Sequence, residues 1–260
     1  MKGKELIQIL EEQSPISYAC DWDNVGLLVG NPDKEIHKIY IALDATDEVI
    51  EEAAAAEADM LLTHHPLIFS GIKKVTSESF IGRRIIKLIQ KDMAYYAMHT
   101  NFDVMGMAEL AAKRLLLSDC CVLDVTGFTG EKPEGIGRVG KLERAMTLKE
   151  CAKFTEKAFS LEQVKVFGAP DKRVEKAAIS PGSGKSEIKN AIAKGADVLI
   201  TGDIDHHDGI DAVAQGLCII DAGHYGLEHI FVEYMKEYLE KRCEGVEIYT
   251  QKLTFPFWVI

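Results

Sequence analysis

KIYIALDATDEVIEEAAAAEADMLLT, Lys38 to Thr63, and KAAISPGSGKSEIKNAIAKGADVLIT, Lys176 to Thr201, align without a gap at an offset of 138 residues. Each copy opens with a short apolar run, turns into a stretch with helical spacing, and closes on Ala-Asp-x-Leu-[Leu/Ile]-Thr. A helix followed by a strand can recur by chance. The Ala-Asp and Thr repeated in fixed register point instead to duplication. Further apolar runs (MAYYAM, QVKVFG, LCIID, VEIYT) alternate with amphipathic stretches such as SFIGRRIIKLIQ and LEHIFVEYMKEYLEKRC. That alternation predicts an α/β protein, a three-layer α/β/α arrangement of two related halves. The halves are expected to join near Gly127 to Gly137, giving residues 1–126 and 127–260.

With 260 residues and 47% hydrophobic content, the chain can build packed cores. No apolar run reaches the roughly 18 to 20 residues a membrane helix needs, and MKGKELIQILEEQSP mixes acids into its helical pattern, so a cytoplasmic protein is expected. Six scattered cysteines without a C-x-x-C pair fit buried thiols in a reduced compartment. A net charge of −11 disfavours an extended nucleic-acid footprint.

After the shared Thr, the first copy continues His64-His65-Pro66 and the second GDIDHHD, so both send polar groups from the carboxyl ends of equivalent strands. In open α/β sheets that edge is where ligands bind. YYAMHTNFD and IIDAGHYGLE supply a second such end in each half. The groups collected are His64, His65, His99 and Asp103 from the first half, and His206, His207, His224 and Glu228 from the second. Imidazole and carboxylate at strand termini are the ligands of Zn, Mn and Fe. Adjacent residues of a strand point to opposite faces, so His64 and His65 suit two ions about 3.5 to 4 Å apart better than one. His224 and Glu228, four apart, share a face if the chain turns helical after Gly226. Asp103 and Glu228 are then candidates to bridge the ions.

Plainer readings stand beside these. An isolated His-His before proline is most often a structural pair at a turn; its duplicated context favours metal. His99 and His207 are candidate general bases or substrate contacts, or simply structural; His206 and His229 read as surface or packing residues. PGSGKS, Pro181 to Ser186, lacks the first glycine of a Walker A loop, although its Gly182–Gly184 turn could hold a phosphate or be a tight turn only. GIGRVG, Gly135 to Gly140, matches G-x-G-x-x-G but neither follows a strand nor opens a helix, so no dinucleotide fold is expected there.

DWDNVGLLVG, LLTHHPLIF, HTNFD, SPGSGKS, GADVLITGD and DAGHYGLE, in that order across nearly the whole chain, resemble the NIF-three-like family, whose members are often named type-two GTP cyclohydrolase homologues. The resemblance implies an α/β protein of two related halves, a ring-shaped homohexamer, and a dinuclear metal site on His64, His65, Asp103, His224 and Glu228. It also places Asp23 and Asn24 near the site, as substrate contacts or as a loop cap. Longer relatives carry an extra domain for which this chain has no room. The expected chemistry is hydrolysis of an amide-like or ring C–N bond of a small molecule, a nucleotide included, assisted by two divalent ions (Fe, Mn or Zn) that lower the pKa of water toward 7. The rival expectation is a metal-loaded binding or regulatory ring without turnover.

Overall fold

In a computed structural model that describes residues 1–257, the first stretch runs α1 (Gly3–Gln13), β1 (Gly26–Val29), β2 (Lys38–Ala42), α2 (Asp47–Ala55), β3 (Met60–Thr63), α3 (Phe80–Gln90), β4 (Ala94–Ala97) and a single turn α4 (Thr100–Phe102). A π-helical turn at Asp103–Met107 leads into α5 (Ala108–Arg114), β5 (Ser118–Thr129), β6 (Lys132–Thr147), α6 (Leu148–Ala158), β7 (Lys165–Phe167), β8 (Arg173–Ser183) and α7 (Ile188–Ala193). The chain then continues through β9 (Val198–Gly202), α8 (His206–Ala214), β10 (Cys218–Asp221), α9 (His224–Glu228), α10 (Ile230–Glu240) and β11 (Glu247–Thr250). These elements form a mixed α/β protein with two sheets. Among the described residues, no helix is long and apolar enough to cross a membrane.

The chain divides into two compact units, Met1–Phe102 with Phe231–Thr254, and Asp103–Ile230 with the described chain from Phe255. In the first, the strand order is β1-β4-β3-β2-β11, with only β1 antiparallel. Tyr40, Ala42, Leu61, Tyr95 and Ala97 share one core with Val49, Ile50 and Ala53 of α2 and Ile85 and Leu88 of α3. The alternate residues Ile39, Ile41, Leu62 and Tyr96 are fully buried as well. Both faces of this sheet are therefore covered, as parallel strands require. In the second unit the order is β5-β6-β8-β9-β10-β7, and β8, β9 and β10 are parallel. Ala178, Leu199 and Ile219 pack with Ile188 and Ala191 of α7 and Ala212 of α8, while the alternate Ala177, Ile179, Val198 and Ile200 are buried too.

The duplicated segments adopt one register. Ile39 faces Met60 in the first unit, and Ala177 faces Val198 in the second, each pair displaced by 138 residues. The repeated Asp has a physical role. Asp59 Oδ2 accepts the backbone N–H groups of His37 and Lys38 at 2.8 and 3.0 Å; Asp197 Oδ2 accepts those of Glu175 and Lys176 at 2.9 Å each. One carboxylate thus satisfies two donors at the start of the neighbouring strand and pins its register.

The copies differ at the residue that ends the helix. Gly195 takes φ +68 there, and Glu57 takes φ +57. Glycine adopts this left-handed conformation without strain, glutamate does not. Glu57→Gly should therefore raise stability by about 1 kcal/mol, the ion pair it loses to Lys38 being too exposed to offset the gain. A lower denaturation midpoint for this variant would contradict the strain.

Three features depart from the sequence reading. The expected join at 126/127 falls inside β5, and the chain instead changes unit at Phe102/Asp103 and again at Ile230/Phe231. Asp103 accordingly belongs to the second unit, and α10 and β11 return to the first because β11 pairs with β2, Glu247 opposite Lys38. GIGRVG, expected to follow no strand, lies inside β6, which begins at Lys132 and is hydrogen-bonded to β5 and β8. Its glycines permit close approach: a Cβ on Gly135 would stand 1.8 Å from the Asp124 carbonyl oxygen.

Candidate functional site

In the first unit, β3 stops at Thr63, so the alternation of strand side chains ends before His64 and His65. The turn that follows is wound on Tyr95 of β4. Its hydroxyl lies 2.9 Å from the His65 carbonyl and 2.7 Å from the Thr63 hydroxyl, and accepts the Leu67 N–H at 2.8 Å. Burial pushes the Tyr95 hydroxyl up to about 12, despite hydrogen bonds that pull the other way, so it stays protonated. The His65 N–H donates to the Leu43 carbonyl beyond β2 at 2.9 Å. The two imidazoles end with centroids 4.9 Å apart, and the His99 ring lies 5.4 Å from His64 and 5.6 Å from His65.

Each of these rings is held by Nδ1. His64 Nδ1 lies 2.7 Å from the Met98 carbonyl, which can only accept, so Nδ1 carries the proton and Nε2 the lone pair. His65 Nδ1 donates to Asp44 Oδ1 at 2.8 Å, and His99 Nδ1 to Asp23 Oδ1 at 2.8 Å. Burial alone would raise the Asp23 carboxyl, but hydrogen bonds from His99 and from the hydroxyl and N–H of Thr100 outweigh it and hold it at about 2. Asp23 is thus an ionised positioning residue for His99. Asn24 donates to the Ile68 carbonyl at 2.6 Å and ties DWDNVG to the segment after the paired histidines. The structure favours the loop-anchoring reading of both residues over direct substrate contact.

In the second unit, α9 begins at His224 itself rather than after Gly226, because Gly223 takes φ +75 and turns the chain off β10. His224 and Glu228 then meet on one helical face, Nε2 to Oε2 3.0 Å, with Glu228 buried. His224 Nδ1 donates to Asp203 Oδ2 at 2.7 Å, repeating the arrangement of the first unit. Asp103, on the π-helical turn, brings a carboxylate oxygen within 4.8 Å of that of Glu228. The expected Gly182–Gly184 turn is instead the end of β8, Gly182 and Ser183, followed by Gly184, a three-residue 3-10 turn and a six-residue helix, which gives a phosphate little to bind. These glycines answer a packing demand: a Cβ on Gly182 would come within 2.4 Å of Glu228 Oε1, and one on Gly184 within 1.9 Å of Thr201 Oγ1. His206 and His207 lie exposed in the first turn of α8, their rings 5.2 Å apart, and His229 stacks on Tyr225. Among the described residues, His207 belongs to none of the His/Asp/Glu groups that contain Asp103, His224 or Glu228.

Asp44 and Asp203 escaped the sequence reading. The available signal was a carboxylate one or two residues beyond a parallel strand, the edge where the histidines themselves were sought.

These donors fit a divalent first-row ion. The ligand atoms of His64, His65 and His99 lie within 4.8 Å of one another. Two carboxylates as close as Asp103 and Glu228 repel, and a cation or a proton lying with them relieves the repulsion. Four imidazoles donate Nδ1–H to an oxygen and present Nε2, the tautomer and the supporting contact typical of metal-bound histidine.

Comparison with known proteins bears on this site. The chain is 36% identical over 251 residues to a protein of Clostridium acetobutylicum named GTP cyclohydrolase 1 type 2 homolog, covering 96% of this chain and 94% of that one. A Lactococcus lactis protein of the same name is 34% identical, with both chains fully covered. Among solved structures, a Bacillus cereus protein related to NIF3 superposes with a TM-score of 0.90 at 25% identity, covering 100% of this chain and 99% of that one. Residues 1–254 match the family described as Duf34/NIF3 (NGG1p interacting factor 3), and the histidine-bearing strand ends lie within that span: the chain belongs to the Duf34/NIF3 family.

Proposed function

We propose that this protein is a metal-dependent hydrolase that acts on an amide-like or ring C–N bond of a small molecule, with nucleotides the first class to test. His64, His65, Asp103, His224 and Glu228 are its ligands for two divalent ions, Fe, Mn or Zn. The observation that carries the reading is the common Nδ1 anchoring of His64, His65, His99 and His224. Such ions, when bound, polarise the bond under attack and make water acidic enough to react near neutral pH. The chain supplies the rest. Asp23 fixes the His99 tautomer with its lone pair on Nε2, which suits His99 to take a proton from water as general base, in preference to the exposed His207. Asp44 and Asp203 hold His65 and His224 in the same tautomer. The names of the curated relatives support a nucleotide substrate by analogy of family only. A cytoplasmic homohexamer is part of the same proposal.

The test is product formation by metal-loaded protein from GTP, other nucleotides and small amides, beside His64→Ala. Turnover should vanish on chelation, return with metal, and fall by more than about 100-fold in the variant. Metal uptake without turnover on any substrate would establish the rival reading, a metal-binding ring protein. Activity unchanged by His64→Ala would reject the site.

A further inference from the structure

Two large aromatic side chains stand exposed beside the histidine cluster: Trp22 is 60% exposed and Phe69 52%. Their rings lie 5.6 Å apart, and they approach His99 at 6.0 and 6.3 Å. Exposed apolar rings of this size, grouped rather than scattered, mark a binding surface.

Neither ring is needed to hold its loop in place. On one side of Trp22 the Cys20 N–H donates to Thr100 Oγ1 at 2.8 Å; on the other, Asp23 is buried against His99 and Thr100. The Phe69 segment is held through the Ile68 carbonyl by Asn24. Polar anchors therefore fix both backbones, and the rings project as preordered groups whose positioning has been met before any ligand arrives.

We propose that Trp22 and Phe69 form an aromatic platform that binds the planar heteroaromatic ring of the substrate and sets it beside His99. The inference rests on the hydrolytic reading of the histidine cluster and deepens it by naming the substrate class. Stacking is indifferent to which heteroaromatic ring is bound, because every such ring has a π face. It discriminates against the same ligand without a ring.

The experiment measures equilibrium binding of guanosine 5′-monophosphate and ribose 5-phosphate to metal-loaded protein by calorimetry, with metal content and oligomeric state recorded for every variant. Wild type should bind the nucleotide more tightly than the sugar phosphate. Trp22→Ala should weaken the nucleotide about 10-fold or more and leave the sugar phosphate unchanged, with Phe69→Ala acting in the same direction. Trp22→Phe should keep most of the affinity, which separates loss of a stacking face from loss of fold. Equal affinity of wild type for both compounds, or nucleotide binding unchanged in Trp22→Ala and Phe69→Ala, overturns the platform; altered oligomeric state with unchanged binding overturns it by assigning the rings to a contact between copies. Ring-dependent binding without turnover would retain the platform while rejecting the hydrolase, so the two readings fail separately.

Discussion

Glu228→Ala and Asp103→Ala should each strip the protein of metal and leave it folded. Glu228 is buried on α9, and its carboxylate meets His224 Nε2 at 3.0 Å. Truncation removes a polar group from the strand-end edge without opening the apolar cores on which the sheets depend, so the circular dichroism spectrum should hold. Elemental analysis should fall from about two ions per chain to near zero if these carboxylates bridge the pair. Gly182→Ala perturbs the same carboxylate without removing it. An added Cβ at φ +76, 2.4 Å from Oε1, must displace it, and metal affinity should drop about 10- to 100-fold. Metal retained in full by both carboxylate variants would remove them from the ligand set.

Gly184→Ala should be the most damaging glycine substitution of the PGSGKS stretch for stability. Its Cβ would stand 1.9 Å from Thr201 Oγ1 and 2.7 Å from Thr201 Cβ, and Thr201 is fully buried in the central strand β9. Rotating the threonine relieves only the first contact. The backbone of β8 or β9 must move, at a cost of about 3 kcal/mol for overpacking of this kind. Thr201→Ala in the same chain removes the hydroxyl and should recover part of the loss. A urea midpoint for Gly184→Ala within error of wild type would show that the strands yield freely at this point.

Periodicity marks most of the strands of this chain in its sequence. Strands β2, β3, β4, β7, β8, β9, β10 and β11 each fall on an apolar run of the sequence; β2, β3, β4, β9 and β10 are apolar throughout most of their length because they are buried parallel strands, whereas β7 and β11 are half-exposed or exposed edge strands. Periodicity does not mark β5 and β6, whose polar and glycine-rich residues read as a linker. In that hairpin glycine serves close strand pairing, and one-dimensional composition cannot tell this from a loop. His64, His65, His99, Asp103, His224 and Glu228 stand out in the sequence as candidate ligands because imidazoles and carboxylates gather there shortly after apolar runs. Asp44 and Asp203 do not, since a carboxylate that orients a histidine resembles any acid after a strand. The glycines of PGSGKS read as a phosphate-holding or tight turn, but Gly182 ends β8, and what Gly182 and Gly184 must accommodate, Glu228 and Thr201, lies elsewhere along the chain. The return of α10 and β11 to the first unit left no local mark at all.

That return has a consequence for biosynthesis. Strand β2 waits for its neighbour β11 until 209 further residues have been translated, from Lys38 to Glu247. At roughly 5 to 20 residues per second, its open edge persists for about 10 to 40 s on the ribosome. Residues 103–230 meanwhile emerge as nearly the whole of their own unit and can fold at once. The nascent chain thus reverses the usual amino-to-carboxyl order of maturation, and its leading segment is the one exposed to chaperones and to edge-to-edge aggregation until the last strand leaves the exit tunnel.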